Sequence, residues 1–243
     1  MPAFFAVWAA DLVARAELRP GERVLDVGCG TGIVSRTVAP KVGEHGRVVG
    51  LDASEEMLAT ARTRPSPGGA PIEWQRGDAT ALPFANGSFD AVLCQQALQF
   101  VPDRPAALRE MRRVLAAGGR LGLAAFRRSG HHEALEPVVG RFFGPDAVGT
   151  LMAPFRLPDA GELVALVRGA GFRDVAHTPL TLPARFGAAD DLINFHGGAE
   201  RIAALDADQR AAFWEAARAA LAPHTTPEGV VFTMDANVVV ARP

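Results

Sequence analysis

The sequence predicts a doubly wound α/β fold on a mostly parallel sheet, and three observations carry that prediction. Short β-type apolar runs alternate with helical patterns from residue 23 to residue 126, the rhythm of βαβ units. The first run, Val24-Leu25-Asp26-Val27, feeds a turn with glycine at alternate positions, Gly28, Gly30 and Gly32. Asp26, Asp52 and Asp78 stand at or near the C-terminal ends of three consecutive strands. Crossovers between parallel strands are right-handed almost without exception. Acids in that register therefore converge on one crevice at the carboxyl edge of the sheet, where such folds bind ligands.

The elements follow in order. A helix is expected over about residues 3–17, closed by the Arg19-Pro20-Gly21 turn. Strand one (23–28) leads through the glycines to a helix from Thr31 to about Ala39. Strand two (47–52) leads to a helix capped by Ser54, with Glu55 and Glu56 in the first turn, where the helix dipole favours acids. Pro65 to Pro71 is a loop, strand three covers 72–76, Asn86-Gly87-Ser88 is a turn and strand four covers 89–94. Pro105 opens a helix with Leu108, Met111 and Leu115 on one face, expected to end at Gly118-Gly119 before strand five at 120–126. After residue 126 the rhythm changes. A helical stretch reaches a Phe142-Phe143-Gly144-Pro145 stop, Leu163, Leu166 and Val167 mark an amphipathic helix, and 173–186 reads as strand six. Two helices (about 188–203 and 206–222) precede a last strand within 230–240. This gives seven strands in a single domain over 1–243, with helical capping insertions at about 127–158 and 187–228. Connections of that length usually cap a site or are disordered, and their aromatic and apolar content favours a cap.

Composition narrows the function. A formal net charge of −2 on 243 residues argues against nucleic acid as a partner. No apolar run approaches the roughly 18 residues of a membrane span. The first residues lack the basic segment of a signal peptide, so a cytoplasmic location is expected. Lys41 is the only lysine among 25 cations, a bias suggesting a high-GC bacterial genome. Two cysteines, Cys29 and Cys94, make neither a disulfide framework nor a zinc site, and no metal is expected.

The glycine turn and the acid at the tip of the next strand indicate an adenosine-type cofactor. Glycines let backbone approach a ligand closely, and the acid is placed to accept from ribose hydroxyls. A dinucleotide loop needs G-x-G-x-x-G, but here Ile33 stands where the third glycine of that pattern belongs. The run Leu25-Asp26-Val27-Gly28-Cys29-Gly30-Thr31-Gly32 closely resembles the first motif of class I S-adenosylmethionine (SAM) methyltransferases. Gly77-Asp78-Ala79 with Leu82-Pro83-Phe84, Phe89-Asp90-Ala91-Val92 with Gln95 and Gln96, and Val114 to Leu121 resemble the later motifs in order and spacing, with Ala117 where that family more often has proline. The resemblance is strong over roughly residues 20–126, and the style is similar to the ubiquinone/menaquinone-biosynthesis branch.

The resemblance implies a Rossmann-like sheet, SAM as cofactor and S-adenosylhomocysteine as product. It places Asp26, Gly28 and Gly30 at the methionine part, and counts Cys29, Gly32 and Ala53 among the cofactor-binding residues. Asp52 would lie at the ribose, Met57 against the adenine, Asp78 and Ala79 at the adenine edge, and Gln95 beside the methyl donor. In the family's strand order Cys29 and Cys94 lie near each other beneath the cofactor. The implied partner is a small, hydrophobic or aromatic acceptor, methylated on oxygen, nitrogen or carbon, with Trp8, Phe100, Phe142, Phe143, Phe155, Phe195 and Phe213 available as apolar walls. A general base is needed only where the acceptor must lose a proton. His131, His132, His177 and His196 are the candidates, with His196 preferred. Two rivals remain at this point, an NAD(P)-dependent oxidoreductase and a SAM-binding protein without methyl transfer, and the chain is either a monomer or a homodimer.

Overall fold

The structure, a computed structural model, describes residues 2–65, 67–193 and 198–243. The apolar runs form the strands β1 (Arg23–Val27), β2 (Arg47–Asp52), β3 (Ile72–Arg76), β4 (Phe89–Gln95), β5 (Leu115–Ser129), β6 (Arg173–Phe186), β7 (Thr225–Thr226) and β8 (Gly229–Arg242). The helices are α1 (Pro2–Arg15), α2 (Ile33–Val42), α3 (Glu55–Thr63), α4 (Arg104–Val114), α5 (Gly130–Leu151), α6 (Ala160–Gly169), α7 (Ala189–Ile193), α8 (Ala199–Ala203) and α9 (Ala207–Leu221). The sheet order is β3-β2-β1-β4-β5-β8-β6, with β7 pairing antiparallel to β8 alone. That makes eight strands against the seven expected, because two threonines are too short a run to show a period.

The pairings β1–β2, β1–β4, β2–β3 and β4–β5 are all parallel. Strand β1 has β2 on one side and β4 on the other, so the chain reverses direction across the sheet there. This switch point puts the ligand crevice at the carboxyl ends of β1 and β4. Both strands are buried along nearly their whole length, as central parallel strands covered on two faces must be.

Local chemistry sets the helix ends. The Ser54 hydroxyl accepts from the Met57 amide, Asp103 caps α4 through the Ala106 amide, and Asp159 caps α6 through the Glu162 amide. Helix α4 stops at Val114, short of the expected Gly118-Gly119 boundary. Leu115 already pairs with Phe89 in the sheet, and the register shifts between Phe89 and Ala91. Gly119 belongs to that irregular strand start, where a Cβ would stand 3.0 Å from the Asp90 carbonyl oxygen.

The chain divides into two compact units. One comprises residues 1–125, 157–179 and 237–243, and the other 126–156 and 180–236. In the first, Leu25, Val49, Val92, Leu108, Met111, Leu121 and Leu163 belong to a single buried cluster under α4 and α6. In the second, α9 lies against α5, α7 and α8. Phe213 is its centre, with the Phe142 ring edge-on at 5.5 Å and the Phe143 ring at 5.1 Å. Helix α5 is broken at Gly144 (φ 78°), just before Pro145, so the expected stop is a kink joining two helical pieces. The expected capping insertions fall almost wholly within this second unit.

Candidate cofactor and active site

Each glycine of the turn after β1 meets a different demand. All three have positive φ, at 69°, 53° and 84° for Gly28, Gly30 and Gly32. A Cβ on Gly28 would stand 2.3 Å from the Ala97 Cβ, and one on Gly32 would stand 2.2 Å from the Trp74 ring. A Cβ on Gly30 would meet nothing within 4 Å. Gly28 and Gly32 are therefore small for the sake of the fold, and Gly30 is the one that borders open space.

The loop spends its amides internally. Gly28 and Cys29 both donate to the Leu51 carbonyl, Gly32 donates to the Cys29 carbonyl, and Gly30 donates to Asp52 Oδ2 at 2.7 Å. A loop that cradles a pyrophosphate must keep such amides for the ligand. Four engaged amides do not suit a dinucleotide. Arg36 fixes the far side, donating to the Thr31 and Gly32 carbonyls and to the Ala61 carbonyl of α3 while lying over the Trp74 ring.

Acceptor atoms gather where the donors are used up. Asp26 is buried, its Oδ2 taking both the amide and the hydroxyl of Ser35 at the start of α2. Its other oxygen, Oδ1, is buried without a partner. Burial raises the Asp26 pKa to about 7, against the pull of the Ser35 bonds, and the charge of Asp52 adds to the rise. Asp52 holds the Gly30 amide with one oxygen and the Ser54 amide with the other. On the neighbouring strand end, Gln95 Oε1 is buried and unpartnered. An unpaired carboxylate oxygen and an unpaired amide oxygen suit a ligand that brings positive charge and donors, and a sulfonium amino acid does both.

The remaining expected residues are placed as follows. The Gly77 amide donates to the Asp52 carbonyl, which brings the ends of β2 and β3 together. Asp78 is exposed and accepts from the Thr80 amide and hydroxyl, bonds that hold its carboxyl below the usual range. Ala79 is half-buried, Ala53 is exposed, and Met57 is 45 % exposed on the first turn of α3. Arg113 clamps the segment after Asp78 by donating to the Leu82 and Phe84 carbonyls, while Glu110 takes the Leu82 amide. Cys29 and Cys94 are free and buried. Burial raises both thiols, Cys94 to about 12, so neither is a ready nucleophile.

The expected bases and walls part company. His196 and Phe195 lie outside the described residues. His177 Nε2 bonds Asn237 Oδ1 at 3.0 Å, and the Asn237 amide in turn holds the Pro158 carbonyl, a structural chain. His131 and His132 are buried in the second unit, with His131 Nδ1 2.5 Å from the Ser129 hydroxyl. Trp8 is core, Phe142, Phe143 and Phe213 pack on one another, Phe155 packs on Phe126, and Phe100 stands 53 % exposed. Sequence reasoning passed over Gln99, 2 % exposed on the short turn after β4, with both amide atoms unpartnered. Among the described residues no helix is long and apolar enough to cross a membrane, and no cluster of three metal-ligating side chains occurs.

Comparison with known proteins agrees with this geometry. Residues 24–119 match the model of a methyltransferase domain family. The chain is 39 % identical over 187 residues to a 2-phytyl-1,4-naphthoquinone methyltransferase of Thermosynechococcus vestitus, covering 72 % of this chain and 82 % of that protein. It is 33 % identical over 194 residues to a ubiquinone/menaquinone biosynthesis C-methyltransferase of Geotalea uraniireducens, covering 72 % and 80 %. Its fold is similar to that of the YcgJ protein of Bacillus subtilis, with a TM-score of 0.64 at 22 % identity over 97 % of this chain and 98 % of that one.

Proposed function

The chain belongs to the class I SAM-dependent methyltransferases, and on that footing we propose that its acceptor is a small aromatic ring bearing oxygen, of the naphthoquinol type. The observation that carries the cofactor half is the turn after β1. Its amides are engaged, Gly30 borders open space, and Asp26 presents an unpaired oxygen. The acceptor half rests on the quinone substrates named for the relatives.

SAM supplies, when bound, an electrophilic methyl group on a cationic sulfur. Asp26 and the carbonyls of the glycine turn would hold the amino acid end, Asp52 the ribose, and Met57, Asp78 and Ala79 the adenine, with Gln95 beside the sulfur. These residues bind and orient. In-line transfer gains most of its rate from such positioning. The rise of Asp26 toward neutrality means that a cationic ligand draws its proton off, which couples cofactor binding to ionisation of that carboxyl. A carbon or oxygen nucleophile must also shed a proton. His196 is the base we propose for it, and an acceptor already ionised at a ring hydroxyl needs none. A location in the cytoplasm is consistent with this reading.

Incubation with SAM and a 2-alkyl-1,4-naphthohydroquinone, kept reduced, tests the proposal. The expected result is S-adenosylhomocysteine and methylated product in equal amounts by mass spectrometry. S-adenosylhomocysteine binding without turnover on oxygen, nitrogen or carbon acceptors would favour a SAM-binding protein that transfers no methyl.

A further inference from the structure

Five residues at the carboxyl end of β4 and the turn after it contain three glutamines, Gln95, Gln96 and Gln99. Gln96 is one of three described non-glycine residues with positive φ, at 53°. Its backbone is held there by its own amide, which donates to the Ala124 carbonyl of β5. The strain is thus built in, and strain of this kind concentrates where a side chain must be aimed. Neither amide atom of Gln96 has a hydrogen-bond partner, and the same is true of Gln99, whose side chain is almost wholly buried. Two complete carboxamides, three residues apart, are therefore removed from water with nothing to bond. A fold seldom leaves buried polar groups so, since each unmade bond weakens it. By contrast Arg113, on α4, is held by the Phe84 and Leu82 carbonyls and by the Glu110 carboxylate.

We propose that Gln96 and Gln99 are the residues that recognise the oxygen substituent of the acceptor, the carboxamide N–H groups donating to a ring oxygen and the carbonyl accepting from a ring hydroxyl. The inference rests on the oxygenated aromatic acceptor proposed above and adds the groups that read it. A carboxamide both donates and accepts but takes up no proton at neutral pH. The pair therefore selects and orients, and the proton of the acceptor leaves by another route. A site built to bond an oxygen rejects the analogue that lacks it, because its own polar groups are then stranded.

The test uses S-adenosylhomocysteine-loaded protein and two probes of nearly equal shape, 1,4-dihydroxynaphthalene and naphthalene, with affinities measured by fluorescence titration. The wild-type chain is expected to prefer the dihydroxy probe by about tenfold or more. Gln99→Met and Gln96→Met should each remove most of that preference while leaving S-adenosylhomocysteine affinity unchanged. Gln99→Met should also hold or raise the thermal midpoint of the ligand-free chain, because it removes a stranded amide; a structural glutamine would lower it. Wild-type preference that survives in both variants overturns the assignment alone, and so does a fallen midpoint with lost S-adenosylhomocysteine binding. No preference in the wild-type chain overturns the oxygenated-acceptor reading and the assignment with it.

Discussion

Strands β1 and β4 run side by side, and their two ends treat buried polarity in opposite ways. At the amino end, Arg23 donates twice to Asp90 through its guanidinium and once through its backbone amide. Beside that pair, Arg120 reaches from β5 to both Glu22 oxygens, at 3.0 and 2.5 Å, and to the carbonyls of Ala16, Glu17 and Asp90. Its charge and its donors are all matched. At the carboxyl end of the same strands, Asp26, Gln95, Gln96 and Gln99 keep buried atoms with no partner. One end of the sheet is completed by the protein's own pairs, and the other keeps buried polar atoms that a ligand would complete on the reading proposed above. Incomplete pairing is what singles out the carboxyl end as the candidate site.

The largest effect should come from spoiling the finished end. Arg120→Ala leaves Glu22 with only the Arg19 amide, and takes the Arg120 donor from three carbonyls, in a pocket where the arginine side chain is 10 % exposed. Unpairing a buried ion pair costs about 3–5 kcal/mol, measurable as a lowered urea midpoint. The partner's titration gives the sign in pH. Burial pushes the Glu22 carboxyl up, but the Arg120 bond, the Arg19 amide and the Arg120 charge together carry it below its ordinary value. The stabilisation is present above the unfolded-state pKa and is lost as pH falls through the lower folded-state value. Wild type should therefore approach Arg120→Ala in stability on acidification, and S-adenosylhomocysteine should bind the folded variant as it binds the wild type. Loss of cofactor affinity in that variant would show that the two ends are not separable.

The unfinished end should respond in the reverse sense. Asp26 titrates near 7 in the folded chain and near 3.8 free, so it favours the fold when protonated. That contribution is complete below the unfolded value and disappears as pH rises through 7, at about 1.4 kcal/mol for each pH unit of the window. Asp26→Asn removes the titration while keeping an acceptor for Ser35. The variant should be more stable than wild type at pH 8, by about 2–4 kcal/mol, and closer to it at pH 5. Its S-adenosylhomocysteine affinity should fall about tenfold or more. Unfolding curves at the two pH values and a calorimetric titration check both halves. A variant that loses stability at pH 8 would make Asp26 a structural acid like Glu22.

This contrast explains what the sequence disclosed. Strand runs, glycine spacing and three acids at strand tips were legible because each follows from backbone geometry that acts over a few residues. Asp26 and Asp52 also stood out because an acid at the end of an apolar strand is conspicuous. Gln99 was not legible, since an amide on a turn looks like any solvated residue until burial and the lack of a partner are both known. The end of α4 was misjudged because Leu115 fits a helical face, while its pairing with Phe89 is long-range. Thr225–Thr226 pairs with the nearby Val230 and Gly229 but is too short a run to show a period, and Gly144-Pro145 reads as a stop where the chain only kinks. His131 and His132 read as candidate bases because sequence reports neither the Ser129 contact nor the rings packed around them.

The smallest effect expected on stability separates fold from ligand within the glycine turn itself. Gly30→Ala places its methyl group in open space, so the cost is that of the left-handed backbone alone, about 1–2 kcal/mol. Gly28→Ala bears the same backbone cost and adds an overlap with the Ala97 Cβ at 2.3 Å, so it should lose clearly more. Cofactor affinity should rank the two differently. The Gly30 methyl stands where a ligand would lie, so S-adenosylhomocysteine binding should fall well beyond what its small loss of stability explains. Thermal midpoints and calorimetry on the two variants decide the matter. If Gly30→Ala binds as well as wild type, the open space beside Gly30 is bare surface and the cofactor lies against Asp26 and Gln95 alone. If Gly30→Ala keeps its fold and loses its ligand, Gly30 is small for the ligand's sake, while Gly28 and Gly32 are small for the protein's.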